Sequence, residues 1–106
     1  MAGDIFGGWI MSQIDIAGAV AAHKRARGRV VTVAVNSIQF HQPVFVGDMV
    51  SCYAEIEKVG RTSLTVTVAV YAERERGSAE CFKVTQATLT YVAVDEQRQP
   101  RPVPEA

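Results

Sequence analysis

One apolar run of helical period, residues 7–27, occurs once in this chain, and it decides what kind of fold is open to it. Ile10, Ile14, Ala17 and Ala21 recur at three- and four-residue steps, one face of a 3.6-residue period. Ala19, Val20 and Ala22 widen that face until most of the helix is apolar, so a buried helix is expected. Lys24-Arg25-Ala26-Arg27 suits the negative end of the helix dipole, and Gly28 stands where a C′ stop belongs. Asp4 precedes the run, where it can cap it or flank its positive end. Gly18 inside the run costs about 1 kcal/mol against Ala. Its expected use is close approach of another backbone or of a ligand.

After Gly28 the period falls to 2. Strands are expected at about 29–41, 50–58, 62–73 and 80–94. The first carries Val31, Val33 and Val35 on one face and ends at Pro43. The third alternates Leu64, Val66, Val68 and Val70 with Thr65, Thr67 and Ala69. Val46-Gly47-Asp48 and Val59-Gly60-Arg61 read as turns, and Glu73 to Ser78 as a charged hairpin loop. The tail 97–106 carries three prolines without periodicity and is expected on the surface or loose. Short connections imply antiparallel neighbours. The fold class is therefore α+β: residues 1–106 form a single domain, one long central helix wrapped by a curved antiparallel sheet. Four strands leave a long Val/Thr-rich edge, which invites a second copy, so a homodimer at least is expected.

A length of 106 residues fits one domain, and balanced charge with nearly half the residues apolar fits a globular core. Zero net charge argues against a nucleic-acid binder and against a polybasic membrane anchor. No secretory signal pattern is present, so a cytoplasmic protein with Cys52 and Cys81 as reduced, buried thiols is expected. Those cysteines, His23 and His41 lack metal-ligand spacing, so no metal is expected. No G-x-x-x-x-G-K-S/T loop points to nucleotide hydrolysis.

Asp15 is the chemical feature of the helix. It has no cation within four residues on either side, and burying an unpaired carboxylate is costly. Such a group either does chemistry or serves structure, by capping a loop or pairing with an arginine such as Arg61.

Several pieces together carry a family likeness. They are the run from Gly3 to Asp15, Gly28 to Val33, Pro43-Val44 with Val46-Gly47-Asp48, Cys52-Tyr53, Val59 to Ser63, and Tyr91 to Asp95. With them the chain resembles the hotdog-fold acyl-CoA thioesterases, nearest the YciA-type branch. The resemblance implies hydrolysis of an acyl-CoA to a free acid and CoA, with no cofactor beyond the CoA of the substrate. It puts the catalytic carboxylate at Asp15, the backbone donor to the thioester carbonyl at Gly7 or Gly8, and the site at a dimer interface, plausibly within a trimer of dimers. Family members carry a further strand ahead of the helix, which is missing here. His41 stands where they tend to be aliphatic, and reads as a strand-end surface residue.

The residues suit that chemistry. A carboxylate can act as general base or nucleophile. Free N–H groups in a helix's first turn can hold an oxyanion, and glycines leave that backbone open. Eight residues from Gly7 to Asp15 span ~12 Å of helix, too far for one thioester carbon to touch both. The two are therefore expected from different subunits. For the phosphates of CoA, Arg61, Thr62 and Ser63 offer a guanidinium and two hydroxyls, with Arg29 and Lys58 as weaker candidates. Trp9, Met11, Phe40 and Phe45 are either acyl-pocket lining or plain core. Two alternatives stay open. One is a hotdog hydratase or dehydratase, which wants a His that the helix does not place three or four residues from Asp15. The other is a non-catalytic acyl-CoA-binding module with an inert Asp15.

Overall fold

The computed structural model describes the backbone of residues 2–41, 48–76 and 78–105 and, of these, the side chains of 8–41, 48–73 and 81–105. One helix, α1 (Ala2–Ala26), is followed by β1 (Val30–Phe40), β2 (Met49–Val59), β3 (Ser63–Arg76) and β4 (Ser78–Ala93). The expected turns involving Pro43, Val46 and Gly47 lie outside the described residues.

The strands form one antiparallel sheet in the order β1-β4-β3-β2. β2, β3 and β4 are sequential hairpin neighbours, as short connections demand. β1 is not: it lies beyond β4, at the opposite edge from β2. The β3–β4 pairing runs out to Arg76 opposite Ser78, so the segment expected as a six-residue charged loop is mostly ladder.

The core forms where helical and strand periods meet. Ile10, Ile14, Gly18, Ala22 and Ala26, every fourth residue of α1, are buried. They face Leu64, Val66, Val68, Val70 and Ala72 of β3 and Val84, Ala87, Leu89, Tyr91 and Ala93 of β4. The buried stripe shrinks to Gly and Ala toward the helix C-terminus, which lets helix and sheet come close there. In β4, Val84 is the extra residue at a register shift, so Val84 and Thr85 are buried in succession. The Thr85 hydroxyl is satisfied by donating to the Gln39 carbonyl. Two shifts in β1, at Val33 and Asn36, break the even alternation read for that strand.

The helix is not covered all round. Ile16 (56 % exposed) and Val20 (58 %) lie bare on its outer side, and Val31, Val33 and Val35 of β1 are exposed as well. A four-stranded sheet curls round one side of the helix, and among the described residues no other segment covers Ile16 and Val20.

Both helix ends differ from expectation. The helix begins at Ala2, so Asp4 lies within its first turn. At the other end Arg27 takes the left-handed φ of 55°, and Gly28 follows as C″, its N–H donating to the His23 carbonyl at 3.2 Å. A Cβ at 28 would stand 2.7 Å from Arg101 Nη2, so the end of that side chain would have to move.

The tail is not loose. Asp95 Oδ1 accepts the N–H groups of Gln97 and Gln99, both at 2.9 Å, and turns the chain back. Val103 then donates to the Arg61 carbonyl at 2.8 Å and packs against Ala26, Leu64 and Ala93. Arg25 Nη1 donates to the Pro104 carbonyl at 2.5 Å. Replacing Arg25 by Ala is expected to cost about 1–2 kcal/mol, because a charge-assisted bond is lost. Urea unfolding checks it: the midpoint falls while the slope stays unchanged.

Candidate active site

Asp15 lies midway along α1 on the flank beside β1, half-buried. Its Oδ1 accepts two hydroxyls, Thr32 Oγ1 at 2.7 Å and Tyr91 OH at 3.1 Å. The Tyr91 hydroxyl also reaches the main-chain carbonyl of Asp15, at 2.9 Å. Strand register delivers both donors together, because Thr32 and Tyr91 stand directly opposite one another in the β1–β4 ladder. The carboxylate that lacks any partner along its own helix is therefore paired, by neutral groups 17 and 76 residues away.

Tyr91 gets there through Gly18. A Cβ at position 18 would stand 2.3 Å from the tyrosine oxygen and 3.1 Å from two ring carbons. Something does approach this glycine closely, but it is a side chain from β4 and not the backbone or ligand expected there. The Tyr91 ring is fully buried.

Burial pushes the Tyr91 hydroxyl well above the usual tyrosine range, and the Asp15 charge and hydrogen bond push the same way. The folded chain thus keeps this proton to higher pH than the unfolded chain. The stability it contributes is fully present below about pH 10, the ordinary tyrosine value. It is lost as pH rises from there through the folded value, at up to about 1.4 kcal/mol per pH unit. The stability difference between the native protein and a Tyr91→Phe variant is expected to shrink above pH 10. Urea midpoints of the two proteins from pH 8 to 11 measure it, and alkaline effects common to both cancel.

The other anticipated residues are spread out. Gly7 and Gly8 are in the second turn of a helix that starts at Ala2, not in its first turn. Helical geometry engages their N–H groups with carbonyls four residues back. Those amides can turn to a substrate only where the first turn opens. Gly8 itself has open space where a side chain would be. Arg61 and Thr62 lie in the β2–β3 connection and Ser63 opens β3. Their carbonyls accept the N–H groups of Val103, Ala93 and Gly60, while the Arg61 side chain is exposed. Arg29 is exposed close by, its carbonyl accepting from Val94 at 3.0 Å. Ala26 packs on Leu64 and Ala93, so this is the end of the sheet where the helix finishes. Asp15 lies eleven residues, ~16 Å, up the helix from it.

Met11 is half-buried, and Trp9 and Phe40 are exposed; Phe45 lies outside the described residues. His23 and His41 are both exposed, and His23 is two helical turns from Asp15. Cys52 is half-buried and Cys81 exposed, a departure from the expected buried pair. Cys81 lies opposite Glu73, in a wide groove lined also by Tyr53, Tyr71, Lys83 and Gln86. That groove is on the sheet face turned away from the helix and does not touch Asp15. Among the described residues no three His, Cys, Asp or Glu side chains are placed to hold a metal, and no helix is long and apolar enough to cross a membrane.

The profile of the Thioesterase superfamily matches residues 2–79. The chain belongs to the thioesterase superfamily. Among its relatives within that superfamily is the Salmonella typhimurium acyl-CoA thioester hydrolase YciA, 48 % identical over 96 % of this chain and 78 % of its own length. Among solved structures, a hexameric broad-specificity acyl-coenzyme A thioesterase, crystallised as an aspartate-to-alanine mutant, superposes with a TM-score of 0.92 and 48 % identity. That match covers 97 % of this chain and 76 % of the other. The hexameric thioesterase of Yersinia pestis superposes with a TM-score of 0.88 and 46 % identity, over 95 % and 81 % of the two chains. Among its described residues, the present chain thus has one helix and an open four-stranded antiparallel sheet in the hotdog arrangement.

Proposed function

We propose that this chain hydrolyses acyl-CoA thioesters to a free carboxylic acid and CoA, with Asp15 as the reacting carboxylate. The observation that carries the reading is Asp15 itself: a carboxylate in mid-helix, without a cation within four residues along the chain, held by two hydroxyls beside an open edge strand. The names of the relatives support the substrate class. As general base, Asp15 takes a proton from water while the water oxygen bonds to the thioester carbon. The C–S bond then breaks with its electron pair on sulfur, and the proton passes to that thiolate. As nucleophile, the same carboxylate bonds to the carbon first, the C–S bond breaks to release the CoA thiolate, and water then splits the mixed anhydride into the free acid and the Asp15 carboxylate. A thiolate leaves readily, so neither route needs a histidine acid.

The oxyanion donor is assigned to the Gly7–Gly8 backbone of a second copy, on the condition that the helix opens ahead of it. Ile16, Val20 and the β1 edge, bare in one chain, are the surface that a second copy covers. The assembly proposed is a homodimer at least, extended to a trimer of dimers as the hexameric neighbours suggest. Arg61 and Arg29, with Thr62 and Ser63, are assigned to the CoA phosphates, and an extended pantetheine arm bridges from them to Asp15. The enzyme is placed in the cytoplasm and needs no cofactor.

Thiol release from a panel of acyl-CoAs tests the reading. Release with saturation kinetics supports it. Binding without turnover makes the chain an acyl-CoA-binding module, and hydration of a 2-enoyl thioester without thiol release makes it a hydratase.

A further inference from the structure

We infer that Tyr91 is a positioning residue: it fixes the Asp15 carboxylate by Oδ1 and leaves Oδ2 as the oxygen that meets water or the thioester carbon. The inference rests on the hydrolase reading above and assigns it a device that the helix alone lacks.

The two carboxylate oxygens of Asp15 are in different situations. Both side-chain donors, Thr32 Oγ1 and Tyr91 OH, go to Oδ1. A carboxylate on an isolated helix turns freely about its last bond, and its oxygens exchange places. Here one hydroxyl touches both the main-chain carbonyl and Oδ1 of the same residue, at 2.9 and 3.1 Å. That double contact ties the end of the side chain to its own backbone and selects one rotamer. The second hydroxyl arrives from the opposite strand and closes the pair around Oδ1.

The tie is rigid because its anchor is rigid. Tyr91 is enclosed by the core, paired across the sheet with Thr32 on one side and Leu64 on the other. Gly18 supplies the slot its ring enters. The tyrosine cannot act as the base, since burial keeps its proton on. Its one proton is shared between the Asp15 carbonyl and Oδ1. Placement within a fraction of an ångström is worth up to about 10²-fold in rate, so a residue that only aims the carboxylate has a measurable share.

Four proteins test this: the native chain, Tyr91→Phe, Asp15→Asn and the double variant, assayed for thiol release from butyryl-CoA. Tyr91→Phe keeps the ring and is expected to lower kcat by about 10- to 100-fold, with KM within about twofold. In the Asp15→Asn background the same change is expected to have almost no further effect, because the group it aims is gone. Thr32→Val is expected to lower kcat in the same way and Thr32→Ser to restore it, which keeps the test open if Tyr91→Phe folds poorly. An unchanged kcat in Tyr91→Phe, or an equal loss with and without Asp15, overturns the positioning role. Absence of thiol release by the native protein overturns the hydrolase reading instead, and a native enzyme indifferent to Asp15→Asn removes Asp15 from it.

Discussion

Asp15→Asn is expected to lower thiol release from acyl-CoA by about 10²–10⁴-fold, the range that a positioned general base supplies. The fold is expected to survive the change. Asparagine has the size of aspartate and keeps one oxygen. Because Thr32 and Tyr91 both donate at this site, that oxygen must face them, and the amide nitrogen takes the place of Oδ2. The amide nitrogen has no lone pair for a proton or a carbon. Chemistry is lost while the two hydroxyls stay satisfied. The melting temperature is therefore expected to stay within a few degrees of the native value, and KM to change less than kcat. A variant that melts early as well as losing activity points instead to a structural carboxylate. A variant that is stable and fully active removes Asp15 from the mechanism.

Gly18→Ala is expected to destabilise the protein by up to about 2 kcal/mol, in a place where helix propensity alone predicts the reverse. Alanine in a helix interior gains about 1 kcal/mol over glycine. Against this stands a methyl group 2.3 Å from the Tyr91 oxygen. A flexible exposed side chain would swing away at little cost. Tyr91 is a ring with no exposed surface, and two of its carbons also stand at 3.1 Å. Overpacking of this kind costs about 1–3 kcal/mol, so the clash outweighs the propensity. The hydroxyl that moves is the one on Asp15, so activity is expected to fall with stability. Combining Gly18→Ala with Tyr91→Phe removes the closest contact, and the two costs are expected to sum to less than their separate values. Thermal and urea unfolding of the three variants decide it. A Gly18→Ala protein more stable than the native chain shows that the slot yields freely.

The periods of the sequence identify most of the elements. The helix stripe at Ile10 and Ile14 and the β3 alternation at Leu64, Val66, Val68 and Val70 are read correctly, because each side chain's direction follows from spacing along one element. The start of the helix is not. The glycine pair at 7 and 8 looks like a beginning, yet α1 continues back to Ala2, which moves those amides into its second turn. The tail lies on the surface, one of its two expected states, but what holds it there is not legible along the chain. Three prolines exclude regular structure, but the turn at Asp95 and the docking of Val103 and Pro104 are set by partners far away in the chain.

The sequence by itself determined that Asp15 stands in mid-helix without a cation on its own helix, and that one helix had to be matched with four strands. Both are properties of neighbours along the chain. Only the tertiary structure decided that Oδ1 is held by Thr32 and Tyr91, that Gly18 makes room for the tyrosine, and that β1 lies beside β4. Those depend on register between strands whose residues are tens of positions apart, and register is settled by packing of the whole sheet against the helix.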